Sequence, residues 1–372
     1  MNSDNNNNGT PRLRFPGFTG EWEEKLVKEI CDINTGKSNT QDQVEDGLYP
    51  FYIRSATPVR SNRYLYDCEA VITIGDGHIG KVFHYVNGKF DLHQRCYMMS
   101  NFNGVDARYF YYYFSANFYE RAMRLTAKAT VDSVRLEMIA DMPIYLPSIT
   151  EQQKIADCLS TIDTLIAAQE QMVAALKERK RGLMQQLFPQ PGESTPRLRF
   201  PDFTGEWEKK KFKECFDIGN GRDYKHLSEG DIPVYGSGGY MCSVNDYLYD
   251  GDSACIGRKG TINKPMFLRG KFWTVDTLFY TYNFVDTSAY FVYLLFQNID
   301  WMKHNEAGGV PSLSRNIIYN ISVLLPEPAE QQKIVNCISA MDDLIATEAA
   351  KLDTLKIHKK GLTQQLFPQP TK

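Results

Sequence analysis

The chain has 372 residues, of which 42% are hydrophobic and 13% aromatic, which is enough to form two or three domain cores. Its net charge of −3 and its pI of about 6.1 argue against a protein that binds nucleic acid by overall charge alone, because phosphate contacts need a local excess of Lys and Arg. No run is typical of a membrane span or a signal peptide. The eight scattered cysteines are typical of a reducing cytosol, so we expect a cytoplasmic protein.

The first half begins with a polar stretch and continues with a predicted mixed domain. Residues 1–9 include four consecutive asparagines and are expected to be disordered, and the first domain is predicted over residues 10–148. After Trp22 a short helix is predicted from residue 23 to about residue 32. Runs of aromatic and β-branched residues then predict strands of a mainly antiparallel sheet at 49–53, 70–74, 81–86 and 96–99. A helix is predicted over 106–125 and a last strand over 142–146.

A long helix is predicted over residues 149–190, where the sequence EQQKI begins at Glu151. Its apolar residues recur with a 3-4 spacing over about five heptads, which is typical of a coiled coil. A capping box of Thr150 and Gln153 is expected to begin this helix, and Pro189 is expected to end it. The apolar positions of its predicted pairing seam are Ile155, Leu159, Ile162, Ile166, Val173, Leu176, Leu183 and Leu187.

The second half repeats the first. The opening TPRLRFP returns 185 residues later at Thr195, and EQQKI returns 179 residues later at Glu330. A second domain is therefore predicted over 191–327, with a helix at 287–303 and a last strand at 318–325, and a second long helix over 328–372. The apolar positions of the second seam are Ile334, Ile338, Met341, Ile345, Leu352, Leu355, Leu362 and Leu366.

The two seams leave two pairings open. A homodimeric zipper would pair each helix with a second chain, whereas an intramolecular pair would join the two helices of one chain. Two matched seams on one chain favour the intramolecular pair. Polar residues recur in both seams, Gln169 with Glu348 and Lys180 with Lys359, and such residues fix the register and the partner at some cost in stability.

The loops of the two domains differ, although the long helices and the openings are nearly copied. Asp76-Gly77-His78 in the first domain corresponds to Arg258-Lys259-Gly260 in the second, and AKATVDS at 127–133 corresponds to EAGGVPS at 306–312. A shared frame with different loops is typical of two similar readers of two different targets.

The order of these motifs resembles the specificity subunit of type I restriction–modification enzymes. The resemblance rests on a variable domain, then L-P-x(3)-EQ-x-K-I, then a helix with Asp163 or Asp342 and a GL-x-QQLFPQ end, all present in both halves. It implies an α+β fold in which two target recognition domains, each followed by a long helix, are held apart by an antiparallel coiled coil of those helices. Each domain would read one half of a bipartite, asymmetric site in double-stranded DNA.

The resemblance also implies partners and cofactors. Two methyltransferase subunits would dock on the chain and methylate adenine N6 with S-adenosylmethionine. Restriction subunits would translocate and cleave DNA with ATP and Mg²⁺. These cofactors belong to the partner subunits, and none is expected on this chain.

The residues themselves carry no catalytic motif. The chain has no Pro-Pro and therefore no [D/N/S]-P-P-[Y/F] loop, and Gly36-Lys37-Ser38 lacks the first glycine of a phosphate-binding loop. A nuclease-like spacing occurs at Asp202 and Glu208, but the first half has Gly17 at the position of Asp202. The histidines show no ligand spacing and the cysteines form no C-x-x-C pair, so neither a metal nor a disulfide is expected. We therefore expect a non-catalytic chain.

Candidate DNA contacts are basic residues near Gly-rich or divergent loops. In the first domain they are Lys37, Arg54, Arg60, Arg63, His78, Lys81, Lys128 and Arg135, and in the second they are Arg222, Lys225, Arg258, Lys259, Lys264 and Arg315. The basic runs at 177–181 and 356–360 on the long helices are interpreted first as solvated helix faces, and second as contacts with DNA or a partner subunit.

Two functions stay open at this point. The first is a DNA specificity subunit. The second is a structural adaptor with two protein-binding heads on a coiled-coil spacer. The negative net charge favours the adaptor slightly, whereas the doubled motifs and the divergent loops favour the specificity subunit.

Overall fold

The computed structural model describes residues 9–126 and 133–368, so residues 1–8 of the predicted leader and Lys128 lie outside the described residues. The chain forms two compact units, one of Met1–Gln171 with Ala350–Lys372 and one of Met172–Ala349. Each unit contains a sheet-bearing head and parts of both long helices. The two compact units divide both long helices, whereas the predicted domain boundaries place each long helix in a single segment. The predicted boundaries stay a prediction.

The elements of the first head follow one another in this order: β1 Glu23–Leu26, α1 Val27–Ile30, β2 Asp32–Thr35, β3 Tyr49–Tyr52, β4 Val59–Ser61, β5 Tyr66–Ile74, β6 Phe83–Leu92, β7 Cys96–Ser100, α2 Ala107–Thr126, α3 Leu136–Ala140 and β8 Pro143–Leu146. The first long helix, α4, follows at Ile149–Leu187. The predicted strands at 49–53, 70–74, 81–86 and 96–99 thus overlap β3, β5, β6 and β7, and the helix predicted over 106–125 is α2.

The elements of the second head are β9 Glu208–Lys211, β10 Asp217–Asn220, β11 Glu229–Gly236, β12 Gly239–Val244, β13 Tyr249–Asp250, β14 Ser253–Gly257, β15 Met266–Leu268, β16 Lys271–Thr274, β17 Leu278–Tyr282, α5 Ala289–Asn298, α6 Arg315–Asn320 and β18 Ser322–Leu325. The second long helix, α7, spans Pro328–Leu366. Both long helices have 39 residues.

Each head has a mainly antiparallel sheet, as the sequence predicts. In the first head the strands pair in the order β2-β7-β5-β6-β3-β4, and β1 pairs with β8. In the second head two sheets have the orders β10-β17-β14-β15 and β12-β11-β16-β13, and β9 pairs with β18. The pairs β3–β6 and β11–β16 are parallel. The two heads therefore share the α+β architecture and differ in how the sheet is divided.

Three local predictions are wrong in their extent. Residues 23–32 are a strand and a four-residue helix, because β1 pairs along its whole length with β8 and this pairing outweighs the helix propensity of Glu and Lys. The helix predicted over 287–303 ends at Asn298 and is followed by a 3₁₀ turn at Trp301–His304. The strand predicted over 318–325 begins only at Ser322, because Ser314 caps α6 by accepting the Ile317 N–H.

The predicted capping box of the first long helix is also wrong. Helix α4 already begins at Ile149, so Thr150 lies inside its first turn. The Glu151 N–H donates to the Ser148 hydroxyl at 3.4 Å, and the Glu151 and Gln152 N–H groups donate to the Ser148 carbonyl. Ser148 therefore takes the capping role that the sequence assigned to Thr150.

Helix α2 packs on the first sheet through aromatic side chains. Tyr109, Phe110, Phe114 and Phe118 are fully buried, and the ring centroids of Phe114 and Phe118 are 4.5 Å apart. Phe83 of β6 meets the Phe114 ring edge-on at 5.6 Å. Because Phe110, Phe114 and Phe118 are spaced by four residues, they form one face of the helix and hold it against the sheet.

A buried ion pair joins each head to the long helix that follows it. Arg14 in the opening TPRLRFP donates from Nε and Nη2 to the two oxygens of Glu151 at 2.7 and 2.8 Å. Arg199 makes the same two bonds to Glu330, both at 2.8 Å. The side chains of Glu151 and Glu330 are 0% and 1% exposed. The two repeated motifs of the sequence are therefore partners of each other.

The glutamine after each of these glutamates binds the main chain of its head. Gln152 donates to the Pro147 carbonyl at 2.9 Å and accepts the Asp106 N–H at 2.9 Å. Gln331 donates to the carbonyls of Pro326 and Asp286, each at 2.9 Å. The Glu-Gln pair of EQQKI thus fixes the start of each long helix to the head before it.

Glu151→Ala should lower the free energy of unfolding of the first unit by about 3 kcal/mol, because it leaves Arg14 without its bidentate partner at a buried site. The measurement is urea unfolding of the full chain followed by circular dichroism. Asp141→Asn is the matched control, since its ion pair with Lys28 lies at the surface. If both variants unfolded at the urea concentration of the unsubstituted chain, the Arg14–Glu151 pair would not stabilise the unit.

Candidate functional site

Parts of the two long helices pair within each unit. In the first unit, Lys359 Nζ lies 2.5 Å from Asp163 Oδ1 and Lys356 Nζ lies 2.7 Å from Glu170 Oε1. The numbers rise on α4 as they fall on α7, so these two helix parts run antiparallel. In the second unit, Lys180 Nζ lies 2.7 Å from Asp342 Oδ1. All sixteen apolar residues of the predicted seams are buried or half-buried. Several of them, such as Ile155 and Ile334, belong to the core of a head, so a pairing role for every seam residue stays a prediction.

The two seam lysines belong to a repeated arrangement that includes the head. The Tyr112 hydroxyl of α2 donates to Asp163 at 2.8 Å, and the Tyr290 hydroxyl of α5 donates to Asp342 at 2.6 Å. Burial, and next the hydrogen bond to the aspartate, raise the pKa of both tyrosines, so they stay protonated donors. Each aspartate thus binds a head helix and the other long helix at once, which fixes the register between them.

A groove with the same residues lies beside the long helices in both units. We call it the basic groove. In the second unit its lining includes Lys177, Lys180, Arg181, Gln185 and Phe188, together with Gln297 and Asn298 of the head. In the first unit its lining includes the equivalent residues Lys356, Lys359, Lys360, Gln364 and Phe367, together with Tyr112, Asn117 and Glu120 of the head. The basic runs of the sequence are therefore walls of two matching grooves.

The divergent loop of the second head forms a cleft with the loop before α6. Lys259 forms an isolated antiparallel bridge with Ser312, and the Leu313 N–H donates to the Arg258 carbonyl at 2.9 Å. Arg315 donates from Nε to Asn220 Oδ1 at 3.1 Å. The cleft is lined by Arg258, Lys259 and Arg315 among other residues. The adjacent candidate DNA contacts Arg258 and Lys259 thus share one surface with Arg315, which is more than fifty positions away in the sequence.

The corresponding loop of the first head carries an acidic side chain between two arginines. Asp76 forms an isolated bridge with Ser133, and its carboxylate accepts bonds from Arg54 Nη1 at 3.1 Å and Arg95 Nη1 at 2.7 Å. Burial by itself would raise the pKa of Asp76, but the hydrogen bonds from Arg95 and Arg54 outweigh it and lower that pKa. Burial, and next the two arginines, lower the pKa of the neighbouring His93. The sequence singled out Arg54 and missed Arg95, which carries no local signal.

Two other candidates of the first head stabilise loops. Arg60 donates to the carbonyls of Gly47 and Leu48, each at 2.8 Å. Arg63 lies 2.7 Å from Asp42 and 3.3 Å from Asp91, whose side chain is 0% exposed. Because these guanidiniums are already used within the head, we give them a structural role.

The remaining candidates are exposed. Lys81 lies 5.3 Å from the centroid of the Tyr119 ring. Exposure leaves a DNA contact open for the residues Lys37, His78, Lys81, Arg135, Arg222, Lys225 and Lys264, and for each of them it stays a prediction.

The described residues were also compared with the requirements of a metal site, a nuclease site and a membrane span. Within residues 9–126 and 133–368, His, Cys, Asp and Glu form no group that could hold a metal ion. Asp202, the first residue of the nuclease-like spacing, forms an exposed ion pair with Lys333 at 2.5 Å. Over the same residues, no helix has the length and apolar character needed to cross a bilayer.

Comparisons with known proteins give one consistent result. The model of the type I restriction modification DNA specificity domain matches twice, at residues 19–178 and 204–356. The EcoDI specificity subunit of Escherichia coli is 22% identical, over 93% of this chain and 87% of that protein. The MjaVIII specificity subunit of Methanocaldococcus jannaschii is 21% identical, over 95% and 93%. The crystal structure of a type I restriction–modification S subunit from M. genitalium has a TM-score of 0.73 at 18% identity, over 97% of this chain and all of that one.

Arg63→Ala should lower the free energy of unfolding of the first unit by about 2 kcal/mol, because the fully buried Asp91 loses its ion pair and keeps the hydrogen bonds from the Ser38 hydroxyl and the Leu92 N–H. Thermal unfolding followed by circular dichroism measures the change. Lys37→Ala, an exposed candidate of the same head, should leave the midpoint unchanged. An Arg63→Ala chain of full stability that recognised a different DNA sequence would instead assign Arg63 to recognition.

Proposed function

The chain belongs to the family of type I restriction modification DNA specificity domains, and we therefore propose that it is the DNA sequence-specificity subunit of a type I restriction–modification complex. Its two heads would each read one half of a bipartite, asymmetric DNA site. The chain would not be catalytic, since methylation and cleavage would be carried out by its partner subunits.

One observation carries this proposal most directly. The contacts that hold the frame together are repeated in both units, namely Arg14–Glu151 with Arg199–Glu330 and Tyr112–Asp163 with Tyr290–Asp342. The loops at equivalent sheet ends carry different chemistry, with an Asp76-centred cluster in one head and a basic cleft in the other. Equal frames with unequal loops suit two readers of two different half-sites.

The long helices would serve two purposes in this function. They would set the spacing between the half-sites, because each half-site is read by a head anchored to them. They would also dock two methyltransferase subunits, and the two basic grooves, which carry cations at the same three helix positions, offer two similar seats. S-adenosylmethionine, ATP and Mg²⁺ would be bound by the methyltransferase and restriction subunits, and the complex would act on DNA in the cytoplasm.

Coexpression with adenine methyltransferase subunits tests the proposed function. We expect N6-methyladenine at a bipartite sequence with a spacer of constant length, mapped genome-wide in cells with and without this gene. Exchanging residues 15–145 for the first domain of another family member should change one half-site and leave the other and the spacer unchanged. A complex that forms and gives no sequence-specific methylation would favour the adaptor function, and a spacer that varied between sites would contradict the spacing role of the helices.

Charge reversal in one basic groove should remove one of two methyltransferase subunits. Arg181→Glu in the second unit, or the equivalent Lys360→Glu in the first, should weaken one binding step by about tenfold or more, because like charges then face an acidic partner surface. Native mass spectrometry gives the stoichiometry, which should fall from two copies to one, and to none with both changes. Lys213→Glu, an exposed lysine of the second head, is the control. Two bound copies on the double variant would exclude the grooves as seats.

A further inference from the structure

The first head holds two arginine side chains together on a single acidic residue. Arg54 and Arg95 are 41 positions apart in the chain, and both bind Asp76 through Nη1, one on each carboxylate oxygen. Their side chains are 45% and 59% exposed, against 24% for Asp76. The carboxylate therefore lies beneath two guanidiniums that face solvent. We call these three residues the arginine clamp.

The orientation of each guanidinium follows from which nitrogen Asp76 binds. Arginine has five N–H donors in a planar fork. With Nη1 on the carboxylate, the opposite edge of each guanidinium presents the parallel Nε–H and Nη2–H groups. Among the described residues, the structure pairs neither of these edges with a protein acceptor. Each arginine thus keeps a two-donor edge available for a ligand.

The clamp suits a base edge better than a phosphate. Guanine presents O6 and N7 side by side in the major groove, and a two-donor arginine edge matches this pair of acceptors. A phosphate near the clamp would also meet the Asp76 carboxylate, whose negative charge repels it. The shared carboxylate fixes the direction of both guanidiniums, as reading a base edge requires, whereas a phosphate can also be bound by a lysine acting as a point charge.

The second head has basic residues at the position that corresponds to the arginine clamp. The Leu313 N–H binds the Arg258 carbonyl there, as the Val134 N–H binds the Gly75 carbonyl in the first head. This match corrects by one residue the correspondence read from the sequence, which paired Asp76 with Arg258. Lys259 occupies the position of Asp76, and Thr277, whose carbonyl accepts the Arg258 N–H, occupies that of Arg95. One head thus has an acid flanked by arginines where the other has a lysine beside Arg258 and Arg315. The clamp belongs to the first head, as a determinant of one half-site should.

We propose that the arginine clamp of Arg54, Asp76 and Arg95 reads guanine in the half-site of the first head. This inference rests on the proposed function. Arg54 and Arg95 are the residues that contact the base, and Asp76 is the positioning residue that directs their Nε–Nη2 edges.

The test uses the full chain in complex with its methyltransferase subunits. Methylation rates are measured on duplexes with the cognate site and with each single base-pair change in both half-sites. The domain exchange described above identifies the half-site of the first head. The variants are Arg54→Lys, Arg95→Lys and Asp76→Asn, with Arg124→Lys at the end of α2 as a matched control in the same head.

A lysine keeps the charge and loses the two-donor edge. We therefore expect Arg54→Lys or Arg95→Lys to reduce discrimination for guanine at one position of the first half-site by roughly 5- to 150-fold, with the second half-site unchanged. Asp76→Asn should relax every position that either lysine variant relaxes, and Arg124→Lys should relax none. Thermal midpoints equal to that of the unsubstituted chain exclude loss of folding as the cause.

Three results would overturn the inference while leaving the proposed function intact. A first half-site made only of A·T pairs offers no guanine to read. A uniform loss of rate on all duplexes, with a weaker dependence on salt, identifies phosphate contacts. Unchanged discrimination in the lysine variants removes the arginines from recognition. Loss of the proposed function itself has a different signature, because the unsubstituted complex would then methylate no specific sequence.

Discussion

Two fully buried glutamates connect the parts of this molecule. Glu151 and Glu330 begin the long helices, and each binds an arginine of the segment that opens the head before it. A carboxylate with no access to water must be paired, since removing its partner leaves an uncompensated charge in a medium of low dielectric constant. The short sequences TPRLRFP and EQQKI are thus two halves of one contact, which explains why both recur in each half of the chain.

A second set of paired charges lies farther along the helices. Asp163 and Asp342 each bind a lysine of the other long helix and a tyrosine of the head. Apolar seams alone permit sliding, because one heptad resembles the next, whereas a lysine in a seam is stable only opposite its acid. The polar seam residues therefore lower the stability of the helix pair and specify a single register. That register also fixes each head, because the tyrosine belongs to it.

The surfaces to which we assign a function are of two kinds, one repeated in both copies and one different in each. The grooves beside the helices keep their cations in both copies, as surfaces for two identical partners would. The loops at the sheet ends form an equivalent isolated bridge in both heads, but their charged residues differ. In one head an acid directs two arginines, and in the other three cations line a cleft. This difference between the repeated grooves and the divergent loops is what the proposed function requires of a docking surface and of a recognition surface.

The sequence predicted those elements whose pattern is long or repeated. It did not predict features that depend on one contact between residues far apart in the chain. The two long helices and helix α2 were predicted within a few residues, because their apolar spacing extends over many turns. Residues 23–26 were predicted as helix and are a strand, because their partner β8 lies more than a hundred positions away. Among the candidate contacts, Arg63 forms an ion pair with a buried aspartate that the sequence did not indicate, and a DNA contact for it stays a prediction. Arg95 was missed because its closeness to Arg54 exists only in the folded sheet.

The sequence by itself determined the duplication, the two seams, the near identity of the frame motifs and the family to which they point, since all of these are regularities along the chain. Only the tertiary structure decided which charges face one another. It joined Arg14 to Glu151, split each long helix between two units, and brought Asp76 between Arg54 and Arg95. The reason is physical: an ion pair depends on distance in space at a scale of a few ångströms, and separation along the chain does not reveal that distance.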